Sequence, residues 1–164
     1  MTDTAAPEPE LTDAEISEQK AVRLGKRERL IASGAEAYPV ELPITDSIPA
    51  VRARFGDLEA DATTGVTVGV AGRVVHLRNT GKLCFATLQD GFTAADSGVR
   101  LQVMLSLAEI GTDRLEAWKA DVDLGDFVSV TGRVISSRRG ELSVLALDWT
   151  LASKALRPLP TLHK

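Results

Sequence analysis

The sequence predicts a mainly β domain: a five-stranded Greek-key barrel with a helix between strands three and four, preceded by N-terminal α-helices. Three observations carry this. From residue 66 onward apolar residues recur with period two and the composition turns to valine. One helical pattern interrupts these strands, after the third. The 164 residues, 44% hydrophobic and 26% charged, suit a single core with a helical appendage.

Composition excludes several classes. No apolar run approaches the ~20 residues of a membrane helix, and MTDTAAPEPE lacks the basic-then-apolar plan of a secretory signal. A cytoplasmic protein with no membrane partner is expected. The single cysteine, Cys84, excludes an internal disulfide or a multi-thiolate zinc site. With only His76 and His163 besides, no metal site and no catalytic residue is expected.

Residues 1–11 are Ala/Pro/Glu/Thr-rich and aperiodic, and read as a disordered tail. Residues 12–64 read as a helical extension. Thr12 and Glu15 form a capping-box signal for a helix running to about Ser33. Its apolar stripe is thin: Ile16, Leu24, Leu30 and Ile31. Lys20, Arg23, Lys26, Arg27 and Arg29 crowd the same helix, either as a solvated face or as an arm that holds phosphates. Gly34 and Tyr38-Pro39 end it. A second helix is expected from Asp46, as N-cap, to about Leu58, burying Ile48, Val51, Phe55 and Leu58.

Residues 65–153 read as the barrel. Strand one spans VTVGVAGRVVHLRNT, with Gly69 and Gly72 expected to mark a bulge. Strand two is CFATLQD, three VRLQVML, four FVSVTGRVISS and five ELSVLALDWT. The intervening helix, capped by Thr112 or Asp113, presents Leu115, Trp118 and Val122 and ends at Leu124-Gly125. Arg138-Arg139-Gly140 turns between the last two strands. This order is that of the OB-fold, a small barrel that binds oligonucleotides or oligosaccharides on strands two and three.

Parity sorts the faces. Cys84, Ala86 and Leu88 point inward, as do Leu101, Val103 and Leu105. Phe85, Thr87, Gln89, Arg100, Gln102 and Met104 point outward. Leu142 and Val144 go in, with Glu141 and Ser143 out; past the assumed bulge, Val75 and Leu77 go in and Arg78 out. The outer face thus carries Arg78, Phe85, Gln102 and Glu141. Phe85 is either covered by the N-terminal helix or a platform for a base. Gln102 offers an amide donor and acceptor that match adjacent groups on uracil. Glu141 can accept from uracil N3–H, which cytosine lacks. Such a face suits single-stranded, uracil-containing RNA read at its base edges. Arg78, Lys82, Arg100, Arg133, Arg138 and Arg139 are candidate phosphate contacts.

The net charge of −4 looks unfavourable for such a partner, but six acids precede Lys20. From residue 19 onward, 19 basic residues face 17 acidic ones. Six more acids fall within 106–126. Two electrostatic sides, one acidic and one basic, are expected.

The runs AGRVVHLRNTGKLCFATLQD, RLQV, GDFVSVTGRV, RRGELSV and LASKALRPLP resemble the N-terminal anticodon-binding domain of bacterial lysyl-tRNA synthetases, over about residues 13–164. The pieces around LQD and RLQV are shared with the aspartyl and asparaginyl enzymes; GELSV with SKALRPLP is specific to the lysine enzyme. The resemblance implies that Phe85 stacks on the middle anticodon base, that Gln102 with Arg78 reads it, and that Glu141 recognises the third. It implies a lysine tRNA anticodon stem-loop as partner and 154–164 as a hinge to a catalytic domain that the chain lacks. ATP and Mg2+ are implied for that domain and no cofactor for this chain. The parent would be a homodimer and the fragment, possessing no class II motifs, an inactive and monomeric piece of it. Two departures stand out: the loop GFTAADSGV is long for the family, and Cys84 replaces a smaller residue. Two rivals are a free-standing protein-association module, with Phe85 and Met104 as contacts, and the synthetase-like part of a lipid-lysinylating fusion enzyme.

Overall fold

The computed structural model describes residues 12–32, 43–90 and 99–155. The elements are α1 (Asp13–Ala32), α2 (Ile48–Phe55), β1 (Thr63–Asn79), β2 (Leu83–Asp90), β3 (Val99–Ser106), α3 (Leu107–Ile110), α4 (Thr112–Asp121), β4 (Phe127–Ser136) and β5 (Leu142–Ser153). The strands close a barrel in the order β1-β2-β3-β5-β4, antiparallel except where β3 meets β5. Closure leaves the sheet no free edge. The expected tail 1–11, the end of the first helix at Ser33, Gly34, Tyr38-Pro39, the loop 91–98 and residues 156–164 lie outside the described residues.

Alternation is kept through β2 and β3: Cys84, Ala86, Leu88, Leu101, Val103 and Leu105 are all at most 2% exposed. Val68, Val70, Val74, Val128, Val130, Val134 and Val144 complete the inside. β-branched side chains suit this pleated, crowded interior.

β1 corrects the expected parity. Val74, not Val75, is buried, and the register slips between Val74 and His76, away from the glycines. Gly69 and Gly72 serve close packing instead. A Cβ on Gly69 would lie 1.7 Å from the Pro43 carbonyl oxygen, where Thr45 N–H donates to the Gly69 carbonyl at 2.9 Å. One on Gly72 would press Leu88 and Ile48 at 3.1 Å.

The same approach sets the start of α2. Its N-cap is Ser47, whose Oγ accepts from Ala50 N–H at 3.2 Å, rather than Asp46. Asp46 accepts from the Thr45 hydroxyl instead. Ile48 and Val51 then enter the core. The helical region after β3 is two helices, with Gly111 (φ 86°) between them and serving as cap in place of Thr112 or Asp113. That left-handed angle favours glycine. α4 buries Leu115 and Trp118, the latter edge-on to Trp149 with ring centroids 5.4 Å apart.

α1 begins at the expected capping box: Glu15 N–H donates to Thr12 Oγ1 at 3.3 Å and Thr12 N–H to Glu15 Oε2 at 2.8 Å. The Thr12 N–H and, at 2.9 Å, the Thr12 hydroxyl both donate to the Glu15 carboxylate and hold it below its ordinary value. The helix is fastened largely by charge. Lys26 Nζ lies 2.8 Å from Asp123 Oδ1, Arg29 is 3.6 Å from Asp121, and the buried Arg23 donates to the Ala155 carbonyl. Lys154 completes the cluster, bonded to Asp123 and Asp126. Among the described residues no helix is long and apolar enough to cross a membrane.

Candidate nucleic-acid interface

An open groove of about 920 Å³ runs over the outer face of β1, β2, β3 and β5. Strand register builds it in two rows. One crosses the sheet as Arg78, Phe85, Met104 and Leu145, the next as His76, Thr87, Gln102 and Ser143. Successive residues of a row lie on neighbouring strands, ~4.8 Å apart. Arg78, Phe85, Gln102 and Glu141, distant in sequence, all line this groove. Phe85 is half-buried within it, and α1 fastens elsewhere, on the loop after α4.

The polar groups are oriented. Gln102 Nε2 donates to Ser143 Oγ at 3.0 Å, and that hydroxyl donates to the Glu141 carbonyl at 3.0 Å. Ser143 faces the groove side as parity requires, yet is fully buried under this chain of bonds. One amide N–H of Gln102 is thereby committed, and its amide has a second N–H and a carbonyl oxygen besides. Glu141, half-exposed, opens β5 beside the turn 137–140. Its N–H donates to Ser137 Oγ at 3.0 Å, and its Oε1 is 3.0 Å from Arg52 Nη2.

The turn itself is braced. Gly140 has φ 88°, Asp61 N–H donates to the Ser137 carbonyl at 2.9 Å, and Ser136 N–H donates to Ala62. Arg138 and Arg139 on this turn line the groove. An aromatic ring, a glutamine amide, a carboxylate and three arginines share this one groove, a combination of groups suited to unpaired nucleotides.

The other basic candidates divide differently. Lys82 is exposed in the β1–β2 turn, outside the groove lining. Arg100 donates to Gln89 Oε1, and Arg133 pairs with Glu109 at 2.7 Å; neither lines the groove. Lys20 and Arg27 lie on α1. Lys26 and Arg23 meet Asp123 and the Ala155 carbonyl and so help attach α1. Of the acids within 106–126, Glu109 pairs with Arg133, Asp121 with Arg29, Asp123 with Lys26 and Lys154, and Asp126 with Lys154.

Arg52 escapes sequence reasoning. It stands beside Val51 on the polar side of a short helix, and no spacing there points to Glu141. Met104, His76 and Leu145 also line the groove; parity gives Met104, and His76 follows from its place before Arg78. Cys84 is buried, and burial above all pushes its thiol up, so it stays protonated and unreactive.

Comparison with known proteins agrees with this fold. The family model described as an OB-fold nucleic acid binding domain, for tRNA anticodons, matches residues 68–152. The chain is 59% identical over 150 residues to the lysine–tRNA ligase of Mycolicibacterium gilvum (strain PYR-GCK), covering 92% of this chain and 29% of that protein. It is 59% identical over 158 residues to the lysine–tRNA ligase of Kineococcus radiotolerans, covering 96% and 30%. A 38% identity over 152 residues links it to the lysylphosphatidylglycerol biosynthesis bifunctional protein LysX of Rhodococcus opacus (strain B4), covering 93% and 12%. The chain thus spans under a third of these relatives' length. The barrel order, the groove on its second and third strands and the family match together establish that the chain belongs to the tRNA anticodon-binding family of OB-fold nucleic acid binding domains.

Proposed function

We propose that this domain reads the uracil-rich anticodon loop of a lysine tRNA on behalf of a lysine–tRNA ligase. Phe85 stacks on the middle base, Gln102 with Arg78 reads its edge, and Glu141 accepts from N3–H of the third. Arg138 and Arg139 hold phosphates, with Lys20 and Lys82 as outlying positive charge. Residues 12–64 form a helical extension, 65–153 the barrel and 154–164 a connection to a catalytic region. That region performs the ATP- and Mg2+-dependent joining of lysine to tRNA; the domain by itself adds affinity and discrimination only.

The observation that carries this reading is the shared row of Arg78, Phe85 and Met104, with Gln102 one row away in the same groove. The relatives named as lysine–tRNA ligases, at 59% identity against 38% for the lipid-lysinylating protein, favour the ligase over the fusion enzyme.

Titration with a UUU anticodon stem-loop, and with its middle U replaced by C, tests the reading. Binding should weaken steeply with salt, prefer U, and lose that preference in Gln102→Ala. Salt-insensitive binding, or none at low salt, would leave protein association as the better account of Phe85 and Met104.

A further inference from the structure

We infer that Arg52 is a positioning residue for Glu141, and that it sets the discrimination this acid exerts at the groove rim. The inference rests on Glu141 being a base reader. Arg52 grips two elements at once: Nη2 lies 3.0 Å from Glu141 Oε1 and Nε donates to the Arg100 carbonyl at 2.6 Å. A guanidinium is a planar fork, so satisfying two arms fixes its plane. Its base is equally fixed, since Ser47 caps α2 and Ile48 and Val51 are at most 1% exposed.

Glu141 needs such a hold. Its backbone is tied through Ser137 and Ser143, but its side chain is half-exposed and shares the groove with Arg138 and Arg139. A carboxylate among three guanidinium groups has several orientations of similar energy. Pairing with Arg52 selects one, engaging Oε1 and leaving Oε2 to accept from a base N–H. It also keeps the acid from neutralising the turn arginines, which remain available to phosphates. A uracil ring N–H completes the arrangement, whereas cytosine N3 presents a lone pair to a fixed negative charge. Without Arg52 the carboxylate can turn to Arg138 or Arg139, and the acceptor leaves the position where a base would meet it.

The test is equilibrium binding of the whole chain to stem-loops bearing U or C at the third anticodon position, at two salt concentrations. The variants are Arg52→Ala, Arg52→Lys, Glu141→Ala and the double alanine. A charged hydrogen bond to one base edge corresponds to about a tenfold U-over-C preference in the unaltered protein. Arg52→Ala should bring that preference close to unity, as Glu141→Ala does. The double variant should lose nothing further, and Arg52→Lys should recover part. An exposed ion pair adds little stability, so the melting temperatures should stay together. If Glu141→Ala abolishes the preference but Arg52→Ala preserves it, the positioning role is refuted and Glu141 stands as reader. If Arg52→Ala weakens U and C equally with a shallower salt dependence, Arg52 is a phosphate contact and the inference is also refuted. If Glu141→Ala leaves the preference intact, the assignment of Glu141 fails first and the inference falls with it.

Discussion

Lys154 Nζ lies 2.6 Å from Asp126 Oδ2, and both side chains are shut away from water, at 2% and 0% exposure. Asp126 also accepts from the N–H groups of Asp123 and Ala155, so its lone pairs are well used. The pair joins the loop before β4 to the chain leaving β5, and through Asp123 it reaches Lys26 on α1. A helix with little apolar anchorage is thereby fastened to the barrel beside the strand end.

Removing one member of such a pair leaves a buried charge without compensation, at a cost of about 3–5 kcal/mol. Lys154→Met should therefore lower the melting temperature by roughly 6–20 °C, followed by circular dichroism. Adding Asp126→Asn removes the stranded charge and should recover part of the loss. A Lys154→Met protein that melts like the parent would contradict the clamp.

Stability should also depend on acid through Asp123. Burial pushes its carboxyl up, but hydrogen bonds from Lys154 and Lys26 together outweigh this and hold it below the ordinary value of 3.8. The folded value lies below the unfolded one, so its contribution is present above 3.8 and is lost as pH falls below it through the folded value. Asp123→Asn should be less stable at neutral pH and show a shallower loss over that acidic range, measured by urea unfolding at stepped pH.

Phe85→Ala should cost about 1–3 kcal/mol of stem-loop binding, with little change in melting because the ring is half-exposed in the groove. Fluorescence anisotropy reads the first quantity and a thermal melt the second. Unchanged affinity would deny the ring its stacking role.

Arg138→Ala and Arg139→Ala should each weaken binding to all stem-loops alike. The slope of log affinity against log salt should fall by about 0.7 for each phosphate no longer neutralised, with base preference untouched. A change of preference would assign these arginines to bases instead.

Cys84 should react slowly with iodoacetamide at neutral pH in the folded protein and fully in urea, because its sulfur is buried and its proton retained. Mass spectrometry of the alkylated chain follows it.

Much of the groove was legible because period two is a property of the backbone pleat. Once Cys84, Ala86 and Leu88 are assigned inward, Phe85 and Thr87 have only the other face, and Gln102 and Met104 follow on the next strand. The rule failed in β1, where a slip after Val74 changes faces and the visible glycines invited a bulge at the wrong place. Gly69 and Gly72 lack side chains because Pro43, Ile48 and Leu88 come close, an approach that no local pattern announces.

Strand identity, and the core and outward residues of β2 and β3, follow from the sequence alone, since there each is set by unbroken alternation within one strand. Only the folded chain decides which charge meets which. Lys26 and Asp123 are 97 residues apart, Arg52 and Glu141 89, and an ion pair depends on distances that barrel closure creates. Hence Lys26 and Arg29, on a helix whose charge reads either as a solvated face or as a phosphate-holding arm, meet Asp123 and Asp121, and an arginine with no sequence signal stands against Glu141 at the groove.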